Sequence, residues 1–171
     1  MTAEFDIPET RAALAENYSL YGQGLDSKDW SLVSSCFAER VSIDYGTISD
    51  PTGSPDVPRI AADWLEVLQS VINGFDVTRH TITNHRFSFA DGQVSCRAYL
   101  VADHVIFPDP AVPLVSDDDV ATVVGEYTNH YERTLQGWKI SRSKLEIHYS
   151  RGNLDLFGTA AERVAEQQGR E

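Results

Sequence analysis

The sequence predicts an α+β fold: a strongly bent, mostly antiparallel sheet wrapped around N-terminal helices, with an internal cavity at its open end. Three observations carry this. Helical periodicity fills the first part of the chain, period-two alternation fills most of the rest, and two hairpin signals cut the alternating region into four long strands. At 171 residues the chain fits a single domain, with a core over about 8–150 and a tail over 151–171. That length closes a hydrophobic core and leaves room for a ligand.

Pro8 followed by Glu9 suits a helix start, and Leu14, Tyr18, Tyr21 and Leu25 recur at helical spacing. Gly22 and Gly24 weaken the end of that helix. A second short helix is expected to carry Trp30, Val33 and Phe37 on one face, with Asp26 or Ser27 near its N-cap. The segment from Val41 to Tyr45 alternates as a strand, and the Pro/Gly/Asp-rich run from Asp50 to Pro58 is a loop. Pro58 then stands at the first position of a helix whose apolar stripe is Ile60, Trp64, Val67, Leu68 and Val71, ended by Asn73-Gly74. Val77 to Ala90 and Gln93 to Phe107 form a hairpin around Asp91-Gly92. Phe107 to Asp119 is a loop, and Val120 to Thr134 and Trp138 to Tyr149 form a second hairpin around Gln136-Gly137. The tail after Gly152 is short and polar, either capping the mouth of the domain or mobile.

Acidic side chains outnumber basic ones, 26 to 14, for a net charge of −12, which leaves no basic patch for nucleic acid or an anionic membrane. Cys36 and Cys96 lack ligand spacing and read as reduced, buried thiols rather than metal ligands. Met1 to Thr10 carries acids and a proline instead of a basic segment and an apolar run, so no leader and a cytoplasmic location are expected. Asn17-Tyr18-Ser19 then matches the glycosylation sequon by chance. No nucleotide-binding, nucleophile-elbow or zinc-protease motif is present. Gly22-Gln23-Gly24 lacks a third glycine, and Asp117-Asp118-Asp119 lacks calcium-loop spacing.

The first hairpin brings titratable groups together. With a two-residue turn, His80 stands opposite Asp103, Ile82 opposite Val101 and Asn84 opposite Tyr99, so these side chains share a face. A bulge would put His104 in place of Asp103, and both remain open. An imidazole beside a carboxylate suits a general base. On local evidence, however, a surface His–Asp pair and a helix-capping Asp26 are the simpler readings. Tyr127, Asn129 and Tyr131 alternate onto one face of their strand, and Thr128 and His130 onto the other.

The run Gly125-Glu126-Tyr127-Thr128-Asn129-His130-Tyr131-Glu132-Arg133, then Gly137-Trp138-Lys139-Ile140-Ser141 and Ile147-His148-Tyr149, resembles the SnoaL-like group of the NTF2-like superfamily. The branch is that of scytalone dehydratase, bile-acid 7α-dehydratase and hexachlorocyclohexane dehydrochlorinase, and the resemblance covers roughly residues 8 to 150. It implies an NTF2-like cone and reverses the local readings of two residues. Asp26 matches the catalytic aspartate after the first helix, and His80 the catalytic histidine on the first long strand. Tyr21 and Asp103 match a tyrosine and an aspartate of the bile-acid enzyme. Tyr45 falls at the water-binding tyrosine of scytalone dehydratase, and His104 near its second histidine. The dehydrochlorinase's basic residue on the last strand corresponds to Ser143, so that function is absent or moved to Arg142, which argues against that enzyme's substrate.

The implied activity is that of a cofactor-independent lyase, a dehydratase acting on a small hydrophobic hydroxylated molecule such as a polyketide, steroid or terpenoid. His80, supported by Asp26, would remove a proton from carbon next to an activating carbonyl or ring. Tyr21, Tyr45 or Asp103 would bind the departing hydroxyl, with His104, Tyr127 and Asn129 also contacting substrate. Two alternatives stay open: an isomerase or polyketide cyclase using the same pocket, and a non-catalytic binding module or accessory subunit. Relatives imply a homo-oligomer, dimer or trimer, through the outer face of the sheet.

Overall fold

A computed structural model describes residues 7–46 and 55–170. Its first element, α1 (Ile7–Ser27), has Pro8 in the first turn, where no backbone N–H is needed, and buries Leu14, Tyr18, Tyr21 and Leu25 as one stripe. The helix does not weaken at its glycines but runs on to Ser27. Gly24 serves close approach: a Cβ there would lie 2.7 Å from Val33 Cγ2 and 3.0 Å from Val33 N. Val33 belongs to α2 (Trp30–Ser35), which folds back after Lys28 turns the chain at φ +56°. Asp29 caps α2 by accepting the Leu32 N–H at 3.0 Å. Neither Asp26 nor Ser27 is that cap, and Phe37 lies in a strand, not in α2.

That strand, β1 (Phe37–Asp44), starts earlier than its alternation indicated. Of the loop expected from Asp50 to Pro58, the residues from Asp50 to Ser54 lie outside the described residues, as do Met1 to Asp6 of the N-terminal segment. Arg59–Ile60 forms β2, paired with Arg40 and Val41 of β1. The pairing holds Ile60 extended, so α3 (Ala61–Ile72) begins three residues after Pro58 rather than at it. Asn73 ends α3 as expected.

Four long strands follow: β3 (Val77–Ala90), β4 (Gln93–Val105), β5 (Val120–Thr134) and β6 (Gly137–Gly152). The sheet order is β2-β1-β6-β5-β4-β3, antiparallel except where β1 runs parallel to β6. Asp91 and Gly92 both take positive φ, 54° and 74°, as a tight two-residue turn needs. In the second hairpin Thr134 pairs with Gly137, so Leu135 and Gln136 make the turn, one residue earlier than expected. The two faces of β4 separate cleanly: Val94, Cys96, Ala98, Leu100, Ala102 and His104 are buried, and their neighbours are half-buried or exposed. A 3-10 turn at Asp117–Asp119 leads into β5.

The polar tail is a helix, α4 (Leu156–Gln168), with Leu156, Ala160 and Val164 buried. It lies directly on the end of α3, where a Cβ on Gly74 would sit 2.0 Å from the Ala160 carbonyl oxygen. Arg163 fastens it by donating to Gly74 O and Asp76 Oδ2, both at 3.2 Å. The described residues thus form four helices and one curled, open six-stranded sheet. No described helix is long and apolar enough to cross a membrane.

Candidate active site

Asp26 occupies the last turn of α1, the helix that lies along β3, and its carboxylate collects three hydrogen bonds from that strand. His80 Nδ1 lies 2.7 Å from Oδ1, the Thr78 hydroxyl donates to Oδ1 at 2.9 Å, and the His80 backbone N–H donates to Oδ2 at 3.0 Å. Burial pushes the Asp26 pKa up, but the bonds from His80 and Thr78 prevail and hold it below the usual carboxylate value. An ionised carboxylate only accepts, so Nδ1 of a neutral His80 carries the ring proton and Nε2 keeps its lone pair. His80 lines a cavity of about 390 Å³, whereas Asp26 stands behind it and does not touch the cavity.

Of the two residues left open on the next strand, Asp103 and His104, the register turns His104 toward the cavity. Pairing starts as the two-residue turn dictates, but β3 carries an extra residue between Thr83 and Arg86, with Asn84 at φ +56°. This bulge shifts the register by one, so His80 pairs with Ala102, Thr78 with His104, and Arg79 with Asp103. Asp103 therefore turns to the outer face of the sheet, where it accepts the Thr122 hydroxyl at 2.6 Å. His104 turns inward instead. Its ring is 5.5 Å from that of His80, and its Nδ1 is 3.3 Å from the Ala121 carbonyl. Burial, and after it the charge of His80, lowers the His104 pKa to about 4.

Tyr21, Tyr45 and Tyr127 line the cavity as a cluster. The Tyr21 and Tyr45 hydroxyls are 3.4 Å apart, and that of Tyr45 is 3.0 Å from Ser143 Oγ. The Tyr127 ring lies 6.0 Å from Tyr21 and 5.9 Å from Tyr45. Burial raises all three pKa values, those of Tyr21 and Tyr127 well above the usual phenol, so these groups are protonated donors. Asn129 is buried but does not line the cavity. It pairs with Cys96, in the part of the sheet that α1 covers through the Tyr18 hydroxyl on the Cys96 carbonyl. Arg142 is also outside, 3.5 Å from Asp56, and Ser143 serves Tyr45. The remaining walls are apolar, chiefly Trp64, Val67, Leu68 and Val71 from α3 and Phe157 from α4, and no described lining residue is acidic, lysine or arginine.

A sequence profile of the SnoaL-like domain matches residues 8–144. The chain belongs to the SnoaL-like family. Solved structures of similar shape share the fold of this SnoaL-like domain. A protein of Kribbella flavida is 26% identical, with a TM-score of 0.73 over 91% of this chain and 99% of its own. The type-3 hexachlorocyclohexane dehydrochlorinase of Novosphingobium barchaimii LL02 is 19% identical, with a TM-score of 0.64 over 86% of this chain and 92% of its own. A candidate scytalone dehydratase of Novosphingobium aromaticivorans DSM 12444 is 17% identical, with a TM-score of 0.63 over 83% and 90%. No curated protein matches the chain by sequence. Likeness at these identities fixes the NTF2-like cone of this SnoaL-like domain, whose neighbours include a dehydrochlorinase and a dehydratase candidate.

Sequence reasoning passed over Phe157 and the role of the Ser143 hydroxyl in this domain. Phe157 was hidden in a tail read as polar, although Leu156, Ala160 and Val164 stand four apart and give a helical stripe. Ser143 was noted only as the place of a missing basic residue, and nothing in the sequence pointed to its hydroxyl bonding Tyr45.

Proposed function

We propose that this SnoaL-like domain is a cofactor-independent carbon–oxygen lyase, a dehydratase of small, neutral, hydrophobic hydroxy ketones. The observation that carries the reading is the 2.7 Å contact between Asp26 and His80 Nδ1, with the other ring nitrogen left to an apolar cavity. His80 Nε2 takes the proton from the carbon next to the substrate carbonyl, and the Asp26 carboxylate stabilises the imidazolium. A phenol of the tyrosine cluster donates to the carbonyl oxygen as enolate charge develops. The electron pair of the broken C–H bond becomes the carbon–carbon double bond as the C–O bond breaks. The imidazolium then returns its proton to the departing oxygen, which leaves as water. Because His80 both takes the proton and returns it, the elimination is syn. A departing chloride would find no lysine or arginine on the described cavity walls, which favours a leaving group that departs as a neutral molecule.

The test is a panel of cyclic β-hydroxy ketones followed by enone absorbance and product mass. Wild type forms an enone lighter than its substrate by one water, and His80→Gln lowers the rate by roughly 10²–10⁴-fold. A product of unchanged mass assigns the site to isomerisation instead. No turnover of any member, or a His80→Gln rate equal to wild type, removes the reading.

A further inference from the structure

The pair of Asp26 and His80 has a third member, whose kinetic consequence rests on the lyase reading. Thr78 stands two residues before His80 on β3, so both side chains leave the strand on the face turned to Asp26. The Thr78 side chain is buried, and its hydroxyl donates to Asp26 Oδ1 at 2.9 Å. That is the same oxygen that lies 2.7 Å from His80 Nδ1, whereas Oδ2 takes only the His80 backbone N–H, at 3.0 Å. A carboxylate that accepts an added hydrogen bond binds protons less strongly, because part of its charge is already engaged. Oδ1 therefore draws the Nδ1 proton less than an undivided oxygen would. Thr78 does not line the cavity, so any effect it has on a bound molecule passes through Asp26 and His80.

We propose that Thr78 is a positioning residue that tempers the base: by sharing Oδ1 with the imidazole, it limits the hold of Asp26 on the His80 ring proton. The need for this follows from the proton inventory of the reaction. One ring takes a proton from carbon and then returns it to oxygen, so it has to work first as a base and then as an acid. An imidazolium held by an undivided carboxylate would form readily and release its proton slowly. The hydroxyl also fixes the carboxylate in place. Three donors from one strand engage both of its oxygens, which leaves the carboxylate plane little freedom to turn away from the ring.

The Nδ1 proton of His80 reports this without turnover, because its proton NMR signal moves downfield as the bond to Oδ1 strengthens. That signal, assigned by its loss in His80→Gln, is followed in wild type, Thr78→Val, Thr78→Ala and Thr78→Ser. The kcat and KM of each are measured on the cyclic β-hydroxy ketones. In Thr78→Val and Thr78→Ala, which lack the donor, the signal moves downfield. Their kcat falls about tenfold, the rate equivalent of a hydrogen bond to a charged group, while KM stays within about twofold. Thr78→Ser, which restores the donor, brings the signal and kcat back toward wild type. A signal that stays in place or moves upfield in the donor-free variants overturns the assignment. So does a kcat within about twofold of wild type, or a loss that Thr78→Ser shares in full. The lyase reading fails separately: a protein that turns over no ketone still yields the signal, which then decides the role of Thr78 alone.

Discussion

At the scale of single residues, Asp26 fixes the orientation of the His80 ring, as the base we propose requires. Asp26→Asn keeps the volume but presents an amide, which cannot serve Nδ1–H, Thr78 and the His80 N–H together as the carboxylate does. The expected result is a kcat lower by at least about 10²-fold with KM little changed. A stability loss of about 1–3 kcal/mol should accompany it, read from urea unfolding. A rate within a fewfold of wild type would show that the tautomer is set elsewhere.

His104 gives a pH signature with a definite sign. Its folded pKa, about 4, lies below the ordinary histidine value of about 6.5, so the unfolded chain binds the proton first as pH falls. Its contribution to stability is complete above about pH 6.5 and is lost progressively down to about 4. The depressed Asp26 acts in the same direction but lower, since its contribution goes only as pH falls past the ordinary carboxylate range. Between pH 7 and 4.5, His104 alone should remove about 2–3 kcal/mol. His104→Leu should flatten that part of the urea-midpoint profile, and an unchanged profile would mean the ring is hydrated in the native state.

At the scale of elements, the site depends on a helix end, a strand bulge and a terminal helix meeting correctly. Gly74 is the tightest joint, because a Cβ there would meet the backbone of Ala160. Gly74→Ala should push α4 off α3 at a cost of about 2–3 kcal/mol and loosen Phe157 from His104, lowering both the melting temperature and affinity for cyclic hydroxy ketones. Retained stability would show that α4 shifts without consequence. The strands were legible because alternation and the Asp91-Gly92 turn dictate pairing nearby. The bulge could be raised only as an alternative, since it depends on Asn84 adopting a left-handed backbone conformation and nothing local demands that. One residue of slip decided Asp103 against His104. Asp26 looked like a cap because helix-end aspartates usually are, and only the approach of β3 gives it another role.

At the scale of the whole molecule, a cavity of about 390 Å³ bordered by the main core cluster is a standing cost in stability that function explains. Ala102 offers a direct test. It is buried at the cavity wall and pairs with His80 across the hairpin. Ala102→Leu would place three more carbons in existing space, at about 0.8 kcal/mol per buried CH₂ less about 0.5–1 kcal/mol of side-chain entropy. A net gain of about 1.5 kcal/mol, or roughly 3–6 °C in Tm, is therefore expected, together with loss of ligand binding. In wild type, a cyclic hydroxy ketone at about 100 times its Kd should add about 2.7 kcal/mol, and in Ala102→Leu almost nothing. Stability and binding thus move in opposite directions if the space exists for a ligand. A variant that is destabilised yet still protected by ligand would mean that the walls are closely packed around Ala102 and that the ligand binds elsewhere.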